Sequence, residues 1–403
     1  MTQTPSPLFM KRGEERRLRA GHLWVFSNEI DRARSPLKAF TPGDQVILRD
    51  HSGRALGSAY VNPNSLLCAR LISRDAERNL DTSLLVHRLN MALALRERHF
   101  PTPHYRLVHG DGDGLSGLAI DRYGDTCVVQ PNTAGMDRAQ EAIVDALQRV
   151  VRPAHILIRG DSPVRGLEGL DPRVEWVGGN GPDELDIVEN DLAFQVPATS
   201  GQKTGWYFDH RANRARLAPH VAGGRVLDVF SYAGAWGLQA LAAGARQLTA
   251  VDSASQALDA LATNAKRNGL AEQVTAIEGD AFEALRALRQ EGERFNTVIL
   301  DPPAFVKRKK DLKAGLAGYR RLNQLALQVL EKDGTLITAS CSAHVEESAL
   351  LKEVLAASRH VDRSLQLVER GGQAPDHPEH PAIPETRYLK AFFMRVAPAW
   401  STP

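Results

Sequence analysis

From residue 189 onward the chain alternates between short apolar runs and amphipathic stretches of helical period. This alternation constrains the fold more than any other feature of the 403 residues. "RVLDVF" precedes helix-like "AWGLQALAAG", "QLTAVD" precedes "SQALDALATNAKRNG", "QVTAIEGD" precedes "AFEALRALRQE", and "NTVILDPP" precedes "GLAGYRRLNQLALQVLEKDG". The strand "TLITASCS", the helix "VEESALLKEVLAASR" and two further strands, "SLQLVER" and "RYLKAFFMRV", follow. Apolar strands separated by helices call for parallel pairing with both sheet faces covered, hence an α/β, doubly wound sheet over residues 189–403. Such a sheet takes its ligand outside the carboxyl ends of its strands.

Those ends carry acids. Asp228 ends the first strand, Asp252 the second, Asp280 follows the third, and Asp301 ends the fourth in "LDPPAF". Gly234 in "SYAGAWG" lets the backbone turn closely into the first helix. An acid after the second strand suits a bidentate grip on ribose hydroxyls, and one after the third suits an adenine amino group. The glycine pattern lacks the full dinucleotide fingerprint and has no basic residue placed for a pyrophosphate. A cationic sulfonium cofactor without phosphates tolerates an acid-lined pocket, so the set points to S-adenosyl-L-methionine rather than NAD. Each Asp taken singly also reads as a cap on the helix that follows it.

Two regions precede this one. Residues 1–74 alternate short strands with turn chemistry, as in "TPGDQV" before "VILRD" and "HSGRALG" before "SAYVNP", and read as a small β-rich domain. They hold twelve Lys/Arg against six Asp/Glu, while the whole chain carries only +2, so the positive excess sits at this end. That excess suits phosphate contacts or a solvated basic surface. Residues 75–188 combine the helical "TSLLVHRLNMALALRERHF" with alternating strands around a Gly/Asp turn and read as a central α+β domain. The N-terminal "MTQTPSPLFMKRGEERR" lacks the apolar block of an export signal, and the apolar runs fall short of a membrane span. Three widely spaced cysteines, Cys68, Cys127 and Cys341, indicate neither a disulfide framework nor a zinc cluster; no metal site is expected, and a reducing cytoplasm is.

The segments "GQKTGWYFDHRANR", "VLDVFSYAGAWG", "GDAF", "LDPPAFVKRKKDL", "ASCSAHV" and "DHPEHPAIPETRYLKAF" together resemble the bacterial large-subunit ribosomal RNA methyltransferases that make 5-methylcytosine. "KRGEERRLRAGHLWVFSNEI" and "GDGDGLSGLAIDRYGD" extend the likeness over nearly the whole chain. The resemblance implies an N-terminal PUA domain, a central α+β domain and a C-terminal Rossmann-like class I methyltransferase. It implies large-subunit (23S) ribosomal RNA as partner, no membrane, and S-adenosyl-L-methionine as cofactor. It places Gln202, Lys203 and Thr204 near that cofactor, with Asp228, Gly234, Asp252, Asp280 and Asp301 around it. The oligomeric state, a homodimer included, is left open.

Cytosine C5 is too poor a nucleophile to take a methyl group until a thiolate has added at C6. Cys341 ends the fifth strand, beside the fourth, whose end is Asp301-Pro302-Pro303. Many cytosine methyltransferases carry a Cys just after the Pro of that motif; Pro303 and Ala304 stand here, which leaves a scheme with Cys341 alone. Asp301 would bond N3 or the exocyclic amine. The alternative is a buried core thiol, the reading given to Cys68 and Cys127. Lys307, Arg308, Lys309, Lys310 and Lys313 offer a phosphate track at the same edge, and Tyr207, Phe208 and Phe305 are candidates for stacking on a flipped base. "APDHPEHPAIPETRY" reads as an ordered loop between the last two strands. Methylation of another base atom, such as a guanine amine, and non-catalytic RNA binding remain rival readings.

Overall fold

The computed structural model describes residues 5–201 and 204–399. Two compact units emerge, one of Met1–Leu185, Pro197–Trp206 and Pro375–Thr386, the other of Asp186–Val196, Tyr207–Ala374 and Arg387–Pro403.

The first unit holds two five-stranded sheets. Strands β1 (Ser6–Phe9), β2 (Trp24–Val25), β3 (Asp44–Arg49), β4 (Ala55–Val61) and β5 (Ala69–Ser73) pair in the order β1-β3-β4-β5-β2. Helix α1 (Thr82–His99), capped by the Asp81 carboxylate on the Leu84 N–H, leads to β6 (His104–His109), β7 (Leu118–Tyr123) and β8 (Thr126–Pro131). Helix α2 (Gln140–Val150), β9 (His155–Gly160) and β10 (Arg173–Trp176) complete the second sheet, ordered β10-β9-β8-β7-β6. Tyr60 ties the two sheets together. Its fully buried hydroxyl bonds the Ser116 carbonyl at 2.6 Å and Thr133 Oγ1 at 3.0 Å. Its ring lies on Gly135, where any Cβ would stand 2.3 Å from a ring carbon.

A second tie is ionic. Arg96 of α1 is fully buried and forks onto both oxygens of Asp113 at 2.6 and 2.7 Å. Its remaining N–H groups donate to the Arg106 and Asp376 carbonyls, and the Asp376 side chain accepts from the Arg106 N–H. The "DHPEHP" segment is therefore pinned by buried charge and carbonyls, with Asp376 and His377 both buried.

The hairpin β11 (Glu184–Glu189) and β12 (Leu192–Pro197) precedes the large sheet of the second unit. That sheet is built from β13 (Arg225–Val229), α3 (Ala235–Ala242), β14 (Gln247–Asp252), α4 (Ser255–Arg267), β15 (Val274–Glu278), α5 (Ala281–Gln290) and β16 (Phe295–Leu300). It continues through α6 (Leu312–Val329), β17 (Leu330–Ser340), α7 (Glu347–Arg359), β18 (Arg363–Gly371) and β19 (Lys390–Pro398). The strand order is β15-β14-β13-β16-β17-β19-β18. Pairings from β15 through β17 are parallel, as the strand and helix alternation requires.

The sheet departs from an all-parallel reading at one place. β19 runs antiparallel between β17 and β18. A parallel strand needs a crossover back to the starting edge; the chain between β18 and β19 carries only the short 3-10 turn Pro384–Thr386, so β19 enters from the edge where β18 ended. The edge strand β15 also exposes Thr275, Ala276 and Glu278 rather than being covered on both faces. The core lies under β13, β16 and β17, where Leu227, Val298, Leu300 and Leu336 are fully buried with Tyr319 and Leu322 of α6.

Removing one partner of a buried ion pair strands the other charge, at a cost of about 3–5 kcal/mol. Arg96→Met should therefore destabilise the first unit by that amount, read as a lowered urea midpoint of its own transition. A midpoint within experimental error of the wild type would show that the Asp113 pair carries no net stability.

Candidate active site

The loop between β13 and α3 is built under strain. Phe230 and Tyr232 adopt φ of 69° and 48°, and Gly234 follows at 86°. Only Gly takes such angles without cost; each of the other two stores roughly 1–3 kcal/mol. Gly234 has a second reason to be small, since a Cβ there would come within 3.0 Å of Leu261 and 3.2 Å of Leu238.

Two carboxylates hold this loop. Asp252, half-buried at the end of β14, accepts from the Tyr232 N–H through Oδ2 at 2.9 Å and from the Ala254 N–H through Oδ1 at 3.0 Å. Asp228 accepts from the Gly237 N–H at 2.9 Å through Oδ2, while its Oδ1 is buried with no hydrogen-bond partner among the described residues. Asp228 is fully buried. Its one printed contact runs to the start of α3, which leaves Oδ1 beneath the turn. Burial pushes its carboxyl up to about 7, the Gly237 N–H opposes that, and the Asp301 and Asp252 charges add to it. Asp280 is exposed, and its Oδ1 caps α5 by accepting from the Phe282 and Glu283 N–H groups at 2.9 and 3.1 Å. The helix-cap role open to each strand-end acid is thus realised here.

Asp301 sits at the end of β16 among donors. Its Oδ2 accepts from Trp236 Nε1 at 3.0 Å, and its Oδ1 lies 3.2 Å from His210 Nε2, close but off a good hydrogen-bond line. Burial pushes its carboxyl up, but the nearby His210 ring and the Trp236 N–H outweigh this and hold it below the ordinary carboxylate range. The His210 tautomer follows from its neighbours. Asn213 Nδ2 donates to the Gly372 carbonyl at 2.9 Å, which fixes the amide, and its other N–H faces His210 Nδ1 at 3.0 Å. The ring proton therefore sits on Nε2, toward Asp301.

Cys341 follows the last residue of β17. Strand alternation aims its neighbours the opposite way: Ser340 and Ser342 are buried, and both bond the Tyr319 hydroxyl, at 2.8 and 3.0 Å. Cys341 is half-buried, with Sγ 3.9 Å from the Pro302 carbonyl of the Asp-Pro-Pro turn. The Tyr207 hydroxyl feels the charges of Tyr232, Asp209, Asp301 and Cys341, which, after burial, push its ionisation up. Tyr207, Asp301 and Cys341 therefore share one electrostatic neighbourhood.

The other candidates divide. Phe208 is 1% exposed, so it belongs to the core and cannot stack on a base. Phe305 is half-buried and packs on Tyr319 at 4.7 Å between ring centroids. Tyr207 is half-buried with its ring edge-on to Tyr232. Lys307, Arg308, Lys309, Lys310 and Lys313 are all exposed, along the stretch from Val306, whose N–H reaches Ser342 Oγ at 3.3 Å, into the first turn of α6. Thr204 lies in the first unit, its carbonyl accepting from the Tyr123 hydroxyl at 3.0 Å and its own hydroxyl buried. Gln202 and Lys203 lie outside the described residues. Cys68 and Cys127 are buried, and burial pushes both thiols up to about 12.

His210, Trp236 and Asn213 were not singled out from the sequence. His210 stands in "FDHRANR", a stretch with no strand or helix period to aim its side chain, so only the folded chain reveals the contact.

A sulfonium nucleoside fits this arrangement. The strained loop lets backbone approach a ligand closely, no cation stands within the 230–234 loop to want a phosphate, and Ser231 Oγ is buried there without a partner among the described residues. No group of three or more His, Cys, Asp or Glu among the described residues could hold a metal ion, and no helix among them is long and apolar enough to cross a membrane.

Comparison with known proteins agrees with the geometry. Residues 152–395 match the S-adenosylmethionine-dependent methyltransferase family, and residues 8–74 match the PUA-like domain. The ribosomal RNA large subunit methyltransferase I of Photobacterium profundum is 37% identical over 390 residues, covering 96% of this chain and 98% of that protein. Its namesake from Vibrio cholerae is 36% identical, covering 98% of this chain and all of that protein. In fold, the chain is similar to the crystal structure of SMU.776 complexed with SAH, at a TM-score of 0.81 and 22% identity over 97% of this chain and all of that one.

The raised Asp228 carboxyl has a signed consequence. A group that holds its proton more tightly folded than unfolded erodes stability as pH climbs from its ordinary 3.8, and the erosion is complete above about 7. Asp228→Asn stays neutral and can still accept from the Gly237 N–H. It should gain stability over the wild type at pH 8, by at most on the order of 4 kcal/mol, and gain none at pH 4. Urea midpoints of the two proteins that run parallel between those pH values would refute a buried, proton-hungry Asp228.

Proposed function

Because the chain belongs to the S-adenosylmethionine-dependent methyltransferase family, we propose that it methylates C5 of a cytidine in large-subunit ribosomal RNA by way of a covalent Cys341 adduct. One observation supports this reading above the others: the only thiol that is not fully buried stands 3.9 Å from the Asp-Pro-Pro turn, on the opposite side of its strand end from two anchored serines. S-adenosylmethionine supplies an electrophilic methyl group. Asp252, the 230–234 loop and Asp280 would hold its nucleoside, with the buried Asp228 shaping the turn from behind and the 202–204 segment as a further candidate.

The chain's own groups then have defined tasks. Cys341, as thiolate, adds to C6, and the electron pair of the C5–C6 bond moves to make C5 nucleophilic. Asp301, kept ionised and oriented by His210 and Trp236, accepts from the exocyclic amine and steadies the charge redistributed over the ring. After C5 gains the methyl group, loss of its proton returns the pair to the ring and expels the thiolate. Tyr207 would stack on the base, which must leave its own stack for C5 and C6 to be reached. Residues 1–74, rich in Arg and Lys and matched over 8–74 to a PUA-like domain, would dock RNA, and the Lys307–Lys313 run would track its backbone. Domains of 1–74, 75–188 and 189–403 are the corresponding division of labour.

Cys341→Ala should abolish methyl transfer to ribosomal RNA while leaving cofactor and RNA affinity near normal, since the lost bond exists only along the reaction path. Wild-type protein should form a denaturation-resistant adduct with 5-fluorocytosine RNA, and the variant should not. Near-normal turnover by Cys341→Ala would favour the exocyclic-amine chemistry instead.

Asp252→Ala removes both loop contacts and the expected ribose acceptor. Each charge-assisted bond is worth roughly 1.5–3 kcal/mol, so S-adenosylmethionine affinity should fall at least tenfold. Calorimetry giving an unchanged Kd in the folded variant would take Asp252 out of the site.

A further inference from the structure

Lys390 is a lysine in the wrong place for a surface residue. It is 5% exposed, the first residue of β19, and its backbone pairs with Ser340, the residue before Cys341. Its ammonium donates to the Ser342 carbonyl at 2.7 Å and to the Tyr388 carbonyl at 2.8 Å. A lysine carries three N–H donors, so one remains. The antiparallel insertion of β19 beside β17, the feature that breaks the parallel sheet, is what delivers this cation to the strand end that bears the thiol.

Burying an ammonium against two carbonyls is costly where an apolar residue would pack as well. The charges around it show what compensates. Burial lowers the Lys390 ammonium to about 8, and the strongest influence in the other direction is Cys341, followed by Glu346, with Glu347 also favouring the ammonium and Arg387 opposing it. Both of the last two are also engaged elsewhere, Glu347 accepting from Arg387 at 3.2 Å and from Arg370. Coulomb interaction is reciprocal, so a sulfur whose charge favours the ammonium is favoured by it. Among the described residues, Tyr207 and Tyr319 also sense the thiol, as neutral hydroxyls whose ionisation its charge opposes.

We propose that Lys390 is a positioning residue for Cys341: it bolts the Ser342 carbonyl so that the thiol faces the Asp-Pro-Pro turn, and it supplies the buried positive charge that favours the thiolate. This rests on Cys341 as the attacking group, but it can be tested without turnover. Cys68 and Cys127 are fully buried, so iodoacetamide at low concentration reports on Cys341 in the folded protein.

In the wild type, the pH dependence of alkylation should have its midpoint below the roughly 8.5 of an ordinary thiol. Lys390→Met should raise the midpoint by about one unit, which makes alkylation at pH 7.5 about five- to tenfold slower. Lys390→Arg, which keeps the charge, should restore most of the rate, and S-adenosylmethionine affinity should serve as the check that each variant is folded. A wild-type midpoint at or above about 8.5 overturns the proposal even if no variant folds, and an unshifted midpoint in folded Lys390→Met leaves Lys390 with a structural role alone. If Cys341→Ala still methylates RNA, the covalent reading fails while the alkylation profiles continue to decide whether Lys390 tunes the thiol.

Discussion

The Asp252 carboxylate, with one oxygen on the Tyr232 N–H and the other on the Ala254 N–H, is the contact on which the rest of the site depends. Phe230 and Tyr232 would leave their left-handed backbone wells if nothing compensated them, and two charge-assisted bonds at a strand end are of the right size, roughly 1.5–3 kcal/mol each against 1–3 for each strained residue. The loop so held presents Trp236 at the start of α3, and Trp236 donates to Asp301. His210 approaches the same carboxylate from a different stretch of chain. A turn after the first strand thus determines how an acid after the fourth is aimed.

The strand-end acids differ in kind. Asp228 is enclosed and drawn toward its neutral form, Asp280 caps a helix in solvent, Asp252 is spent largely on backbone, and Asp301 is kept ionised by a histidine and an indole. The last two are half-buried, between the enclosed Asp228 and the exposed Asp280. Keeping the fully buried acid close to neutral limits repulsion within the row, because its neighbours are the very charges that push its proton affinity up. The resulting field still favours a cation.

What the sequence showed of this, and what it did not, follows from the range over which each signal acts. Helices α3 to α7 and strands β13 to β17 were legible because hydrophobic period and strand-end polarity are local properties. The antiparallel run of β19 was not, since "RYLKAFFMRV" reads the same in either direction and its sense is set by the absence of a helical crossover before it. The series of acids was visible as a series, but burial separated their roles: nothing in "VLDVF" tells a carboxylate that points at a helix from one that points at a ligand. His210 was hidden for the opposite reason, because the short 3-10 turn Phe208–His210 has no period from which to aim a side chain. Gln202 and Lys203 lie outside the described residues and stay expectations drawn from resemblance.

The segment Ser340-Cys341-Ser342 shows how a strand's period of two can isolate one reactive atom. Both serines share the Tyr319 hydroxyl inside the core, which leaves the residue between them no choice of side. Tyr319 itself belongs to α6, the helix that follows the basic 307–313 run, and Val306 at the head of that run bonds Ser342. One hydrogen bond thus joins the head of the basic run to a serine beside the thiol. The hydrogen bonds that anchor the serines on either side of Cys341 therefore also reach the residue from which the exposed basic run departs.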